Sequence, residues 1–169
     1  EVKYSIYLPA DYDASQRKYP MVYLLHGYSD NETAWVQFGN ANKAADELIA
    51  KGDISPMIIV MPDAGVSWYI NDAEGKTKWM DFFHKEFIPA VEKAYRAKGT
   101  SEYRAISGLS MGGYGSLINC LKYPNTFSAC AALSAAVWTD EAIKTMPKES
   151  YNGYFQKLYG GNAESEGES

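Results

Sequence analysis

Ser110 stands between two glycines in Gly108-Leu109-Ser110-Met111-Gly112, a Gly-x-Ser-x-Gly spacing that lifts a hydroxyl on a strained turn between a strand and a helix. The run from Tyr103 to Ile106 reads as the strand, and Leu117, Ile118, Leu121 and Tyr123 then recur with helical periodicity. With no Cβ at 108 and 112, strand and helix can approach closely enough for the serine to hold unusual backbone angles. A helix that begins at Met111 turns its unpaired amides toward the serine, so partial positive charge sits where an oxyanion would form. The same five-residue pattern occurs in ordinary turns. The strand before it, the helix after it and small Gly113 where the helix must pack favour a nucleophile poised to attack a carbonyl.

Two further stretches belong with Ser110 by position. The nearly continuous apolar run Met21-Val22-Tyr23-Leu24-Leu25 leads into His26-Gly27-Tyr28, and Met57-Ile58-Ile59-Val60-Met61 leads through Pro62 and Asp63 to Ser67, Trp68 and Tyr69. In an open parallel sheet reactive groups gather at the carboxyl ends of the strands, which makes these three places candidates for one cleft. An oxyanion formed at Ser110 needs two donors: the amide of Met111, next to the nucleophile, and the amide of Tyr28, which Gly27 allows to point inward. His26, beside that turn, is read as orienting it by hydrogen bonding and not as a general base. His84 falls on a long helix away from the strand ends and is read as a core or surface residue.

The elements that must carry these groups alternate along the chain. Residues 4 to 8 read as a strand stopped by Pro9, and the polar stretch from Asp11 to Pro20 as a surface connection. A loop through Ser29, Asp30 and Asn31 leads to a helix from about 40 to 51, closed by Gly52. A long amphipathic helix is expected over 78 to 97, with Phe83, Phe87, Val91, Ala94 and Tyr95 toward the sheet and Pro89 as a kink. After the serine helix comes an apolar strand over 128 to 134. Short helices follow over 141 to 146 and 151 to 159, and residues 161 to 169 are read as a mobile acidic tail. This alternation predicts an α/β fold, a mostly parallel sheet with flanking helices, forming one domain over residues 1 to 160.

With 169 residues and 46% hydrophobic composition the chain can bury a core without metal or disulfide support. A net charge of −5 offers no basic stripe for nucleic acid. No run of 18 apolar residues is present, so neither a membrane span nor a signal peptide is expected, while Glu1 in place of Met points to an upstream segment removed or omitted. Cys120 and Cys130 have no metal-ligand spacing and are read as buried free thiols, and no metal or organic cofactor is implied. Fourteen tyrosines and a 14% aromatic content exceed what a core needs. Near a cleft they suit sugar rings or phenolic groups, although packing at the core edge accounts for any one of them equally well.

Taken together, residues Tyr4 to Asp11, Val22-Tyr23-Leu24-Leu25-His26-Gly27, Met61-Pro62-Asp63 with Ser67-Trp68-Tyr69, Glu86-Phe87-Ile88-Pro89-Ala90-Val91-Glu92 and Gly108-Leu109-Ser110-Met111-Gly112-Gly113 resemble the esterase group of α/β-hydrolases. That group includes feruloyl esterases, acetylxylan esterases, S-formylglutathione hydrolases, enterochelin esterases and mycolyltransferases. The resemblance runs to about Gly160. It implies the α/β-hydrolase fold, Ser110 as nucleophile, and Tyr28 and Met111 as oxyanion amides. The Ser67-Trp68-Tyr69 loop looks most like that of secreted polysaccharide side-chain esterases. By that likeness His26, Gly27, Trp68 and Tyr69 line the substrate, with Trp68 and Tyr69 flanking an acyl or sugar group; simple packing of Trp68 stands as the alternative. The implied substrates are feruloyl or acetyl esters on xylan, or a small aromatic ester, and the implied place is secreted or periplasmic. An S-formylglutathione hydrolase is the nearest alternative, disfavoured by the tryptophan-tyrosine loop and the lack of a cationic glutathione pocket.

One departure from that pattern matters. Hydrolases of this fold place an acid and then a histidine after the serine, yet no histidine follows Ser110. Asp140 could serve as an acid, but with no histidine to orient it reads as a solvated loop residue. Three explanations stand: the C-terminal part of the fold is absent from this chain, a second chain supplies the base, or the protein is a non-catalytic relative that binds esters or sugars. The first is favoured, because the sheet traced here has few strands for the fold.

Overall fold

The computed structural model describes residues 2–147. Strands β1 (Tyr4–Tyr7), β2 (Met21–Leu25), β3 (Ile58–Pro62), β4 (Arg104–Leu109) and β5 (Ala129–Leu133) form one sheet in the order β1-β3-β2-β4-β5. Only β1 runs antiparallel to its neighbour; the others pair in parallel. The chain steps from β2 outward to β3, then crosses back over β2 to β4. That reversal makes the ends of β2 and β4 the place where loops diverge and a cleft opens. Register aligns them: Leu25 pairs with Gly108 and Leu109 with Leu133, so His26, Ser110 and Ser134 follow at one edge.

The unbroken apolar character of β2 has a two-sided cause. Met21, Tyr23 and Leu25 point into one cluster, with Phe83, Phe87, Val91 and Met111, while Leu24 and Val22 point into the other, beneath α1 (Ala34–Gln37) and α2 (Ala41–Lys51). Each such fully buried side chain contributes roughly 1.5–3 kcal/mol. α2 ends as expected, with Gly52 in the left-handed region at φ 79° and its amide returning to the last turn. The short helix α1 was not legible in the sequence, since four residues carry no periodicity.

The long helix expected over 78 to 97 is three pieces: α3 (Trp79–Phe82), a π-helical turn (Phe83–Phe87) and α4 (Ile88–Ala94). Pro89 opens α4 instead of kinking a continuous helix. A proline cannot donate to the carbonyl four residues back, and the wider turn before it absorbs the break. The extra residue shifts the phase, so that Phe83, Phe87, Ile88 and Val91 are buried while Ala94, expected toward the sheet, is exposed.

Among the described residues β5 is an edge strand, and of its residues only Ala132 falls short of being exposed. The cysteines follow from this: both thiols are free, but Cys130 is exposed and Cys120 half-buried, which corrects the expectation of two buried thiols. Burial pushes the Cys120 thiol up to about 12, with its neighbour Cys130 adding to the shift. Helix α6 (Asp140–Thr145) occupies the expected place. The helix expected over 151 to 159 and the tail over 161 to 169 lie outside the described residues.

Candidate active site

Ser110 lies between β4 and helix α5 (Met111–Lys122), at φ 56° and ψ −111°. For a non-glycine residue that conformation costs on the order of 1–3 kcal/mol and persists only where neighbours impose it. Here they do so from both sides. The Ser110 amide donates to the Leu133 carbonyl at 3.0 Å, and its carbonyl accepts from the amides of Tyr114 and Ala136, each at 3.0 Å. The glycines remove any slack: a Cβ on Gly112 would lie 2.4 Å from the Leu25 carbonyl oxygen, and one on Gly108 would lie 2.4 Å from the Gly112 carbonyl oxygen. The serine side chain does not cap α5. Met111, first residue of that helix and fully buried, has an amide with no acceptor inside the helix.

The turn after β2 closes against this serine. A Cβ on Gly27 would come within 4.0 Å of the Ser110 Cβ. His26 is 1% exposed, and both of its ring nitrogens are committed. Nε2 accepts from the Ala64 amide at 3.0 Å, which leaves the proton on Nδ1 to donate to the Gly27 carbonyl at 2.7 Å. In a trans peptide the carbonyl and the following amide point opposite ways, so fixing the Gly27 carbonyl also fixes the direction of the Tyr28 amide. His26 therefore orients the turn, and its two ring nitrogens are engaged within the protein, while the residue itself lines the hollow beside Gly27. His84 is engaged elsewhere, its Nε2 donating to Asn119 Oδ1 at 2.8 Å.

Two features adjoin residues that flank the serine turn. A hollow of about 180 Å³ opens between Gly27, Asp30, Leu109 and the α1 residues Ala34 and Trp35, with Phe38 beyond them. Trp35 is fixed as its wall by an indole hydrogen bond to the Leu25 carbonyl at 3.0 Å. The second feature is a set of rings: Trp68 lies 5.4 Å from Trp138, 5.7 Å from Tyr114 and 6.4 Å from Tyr28. Tyr28 and Trp138 are 48% and 37% exposed, whereas Trp68 is 5% exposed.

The loop after β3 thus departs from expectation. Tyr69 is fully buried and cannot flank a substrate; its ring packs under the serine helix because it follows Trp68 at φ 54° and itself adopts φ 61°, which turns the pair inward. Trp68 stands behind Tyr28 and Trp138. Sequence reasoning missed Tyr114, Trp138 and the α1 hollow. Trp138 had a signal, since it follows a parallel strand at the same edge that singled out His26 and Ser110. Among the described residues no group of three or more His, Cys, Asp and Glu side chains could hold a metal ion.

The family described as "Putative esterase" matches residues 1–162. The chain is 35% identical over 147 residues to an endo-1,4-beta-xylanase/feruloyl esterase of Xylanibacter ruminicola, covering 83% of this chain and 20% of that protein. It is 30% identical over 154 residues to an acetyl esterase of Caldicellulosiruptor saccharolyticus, covering 88% of this chain and 54% of the relative. Among solved structures, a ferulic acid esterase superposes with TM-score 0.75 at 35% identity, over 83% of this chain and 57% of its own. The Staphylococcus aureus serine hydrolase FphF shares the fold, with TM-score 0.73 at 23% identity over 95% of this chain and 61% of that one. The chain thus spans from a fifth to a little over half the length of these relatives.

Proposed function

This chain belongs to that esterase family of the α/β-hydrolase fold, and from that premise we propose that it carries the nucleophile and oxyanion turn of a serine carboxylic-ester hydrolase. The observation that carries the reading is Ser110 held at φ 56° beside the His26-Gly27-Tyr28 turn. Its hydroxyl attacks the ester carbonyl, the C–O double bond opens to an oxyanion facing the amides of Met111 and Tyr28, and collapse expels the alcohol to leave an acyl group on Ser110. Water then attacks the acyl-enzyme and releases the acid. Each oxyanion donor of this kind supplies about 3 kcal/mol of transition-state stabilisation.

Both proton transfers need a base. Neither His26 nor His84 is placed to act as one, and no histidine follows Ser110. The base and its acid come from a further segment of the protein or from a second chain. The substrates proposed are feruloyl or acetyl esters of cell-wall polysaccharide, in keeping with the names of the relatives. The ring set and the hollow suit the two sides of such an ester, one aromatic or sugar-like and one small and apolar.

Incubating the full-length protein with methyl ferulate and with acetylated xylan, beside Ser110→Ala, tests this reading; the variant is expected to lose turnover and fluorophosphonate labelling. Undiminished turnover by the variant ends it. A second reading is a non-catalytic relative that binds esterified sugar. That reading requires sugar affinity with no labelling of Ser110.

A further inference from the structure

Beneath the serine turn runs a chain of buried polar groups for which the ester chemistry above has no use. The Tyr69 phenol donates to the His26 carbonyl at 2.9 Å. The Tyr69 carbonyl accepts from Asn119 Nδ2 at 3.3 Å, and the same amide group donates to the Gly115 carbonyl at 2.7 Å. Asn119 Oδ1 in turn accepts from His84. Asn119 is fully buried, so both its donors and its acceptor are matched, as a buried amide requires.

The position of Tyr69 is expensive to hold. Trp68 and Tyr69 are successive non-glycine residues in the left-handed region, a conformation that costs on the order of 1 kcal/mol or more for each. The ring also demands a glycine opposite, because a Cβ on Gly115 would lie 2.5 Å from its Cδ2. A phenylalanine would fill the same space, so packing alone does not explain the phenol. The phenol's hydrogen bond goes to the carbonyl of the residue that begins the oxyanion turn. That carbonyl lies in one peptide plane with the Gly27 amide, and the next plane is pinned by His26 Nδ1 through the Gly27 carbonyl. Two successive peptides are thereby fixed, one by Tyr69 and one by His26.

We propose that Tyr69 is a positioning residue of the oxyanion turn, its phenol locking the His26–Gly27 peptide so that the Tyr28 amide meets the oxyanion on Ser110 without reorganising. The inference rests on the ester-hydrolase reading for its catalytic consequence and on geometry alone for the locking. Burial raises the phenol well above the ordinary tyrosine range, so the donor persists across the working pH and its effect is independent of pH.

Tyr69→Phe in the full-length protein removes only the hydroxyl. With p-nitrophenyl acetate we expect kcat to fall by about 10- to 100-fold, since displacing one oxyanion donor costs up to about 10³, while KM changes by less than about twofold. Tyr7→Phe is the control: it deletes another phenol hydrogen bond, to Asp46 at 2.7 Å, at the far side of the sheet, and is expected to leave kcat unchanged. Amide hydrogen exchange over residues 26–30 is expected to quicken in Tyr69→Phe and not in Tyr7→Phe. Unchanged kcat in an active protein overturns the proposal, as does unchanged exchange over 26–30. If the parent protein shows no Ser110-dependent turnover, the ester-hydrolase reading fails, and exchange still decides whether Tyr69 holds the turn.

Discussion

The serine turn and the outer strand β5 both draw on small and apolar residues, yet they are packed in opposite ways. At the turn, Gly108, Gly112 and Leu25 meet with no room for one more carbon. Along β5, Leu133 is 45% exposed, and on the neighbouring outer side Leu121 and Val137 are 76% and 60% exposed. Even so, β5 is part of the machinery, because the Leu133 carbonyl takes the Ser110 amide. The open strand serves the nucleophile through its backbone, and the crowded crest serves it through side-chain volume. Substitutions should separate the two roles.

The largest effect is expected at Gly112→Ala. The added Cβ meets backbone oxygens of both Leu25 and His26, which cannot yield as a flexible side chain would, and a loss of more than about 3 kcal/mol in urea unfolding is expected. Leu25→Ala comes next, at about 3 kcal/mol, by leaving a cavity in a filled core. Leu133→Ala, the matching change on β5, is expected to cost less than about 1 kcal/mol because its side chain is already half in water. Equal losses at Leu25 and Leu133 would erase the contrast.

Acid sharpens the comparison from the buried side. Burial lowers the His84 pKa below the ordinary histidine value of 6.5, outweighing the hydrogen bond to Asn119. A group depressed in the folded state lends stability that is complete above about pH 6.5 and is lost as pH falls through the folded-state value. Urea midpoints should therefore drop below pH 6.5, and His84→Gln, which keeps a donor toward Asn119, should flatten that slope. Smallest in energy is Cys130→Ser, expected within about 0.5 kcal/mol of the parent at this exposed position. The same exposure makes Cys130 the thiol that iodoacetamide alkylates first at pH 8, followed by mass spectrometry. Cys120, raised to about 12, holds almost no thiolate there.

The elements that position the site were legible because each depends on nearby residues. Continuous apolar β2 announced a strand covered on both faces, the glycine spacing announced the serine turn, and Gly52 announced the end of α2. His26 was read as orienting its turn; its Nδ1 bonds the Gly27 carbonyl of that turn, and its Nε2 bonds the Ala64 amide after β3. The helix before β4 was drawn as one continuous piece because Phe83, Phe87 and Val91 fit a single amphipathic face on either side of the π turn, and only the hydrogen-bond ladder and the exposure of Ala94 reveal the break.

What the sequence by itself determined is the order of the elements and the residue types gathered at the carboxyl ends of β2, β3 and β4, since strand pattern and turn chemistry are set within a few neighbours. Which rings face the cleft was decided by tertiary structure. Trp68 and Tyr69 look equivalent as a dipeptide, but two left-handed backbone angles and a glycine on a distant helix send Tyr69 into the core and leave Tyr28 and Trp138 at the surface. That outcome depends on volume and hydrogen-bond partners contributed from far along the chain, Tyr69 with His26 and Asn119 among them, and no local pattern encodes it.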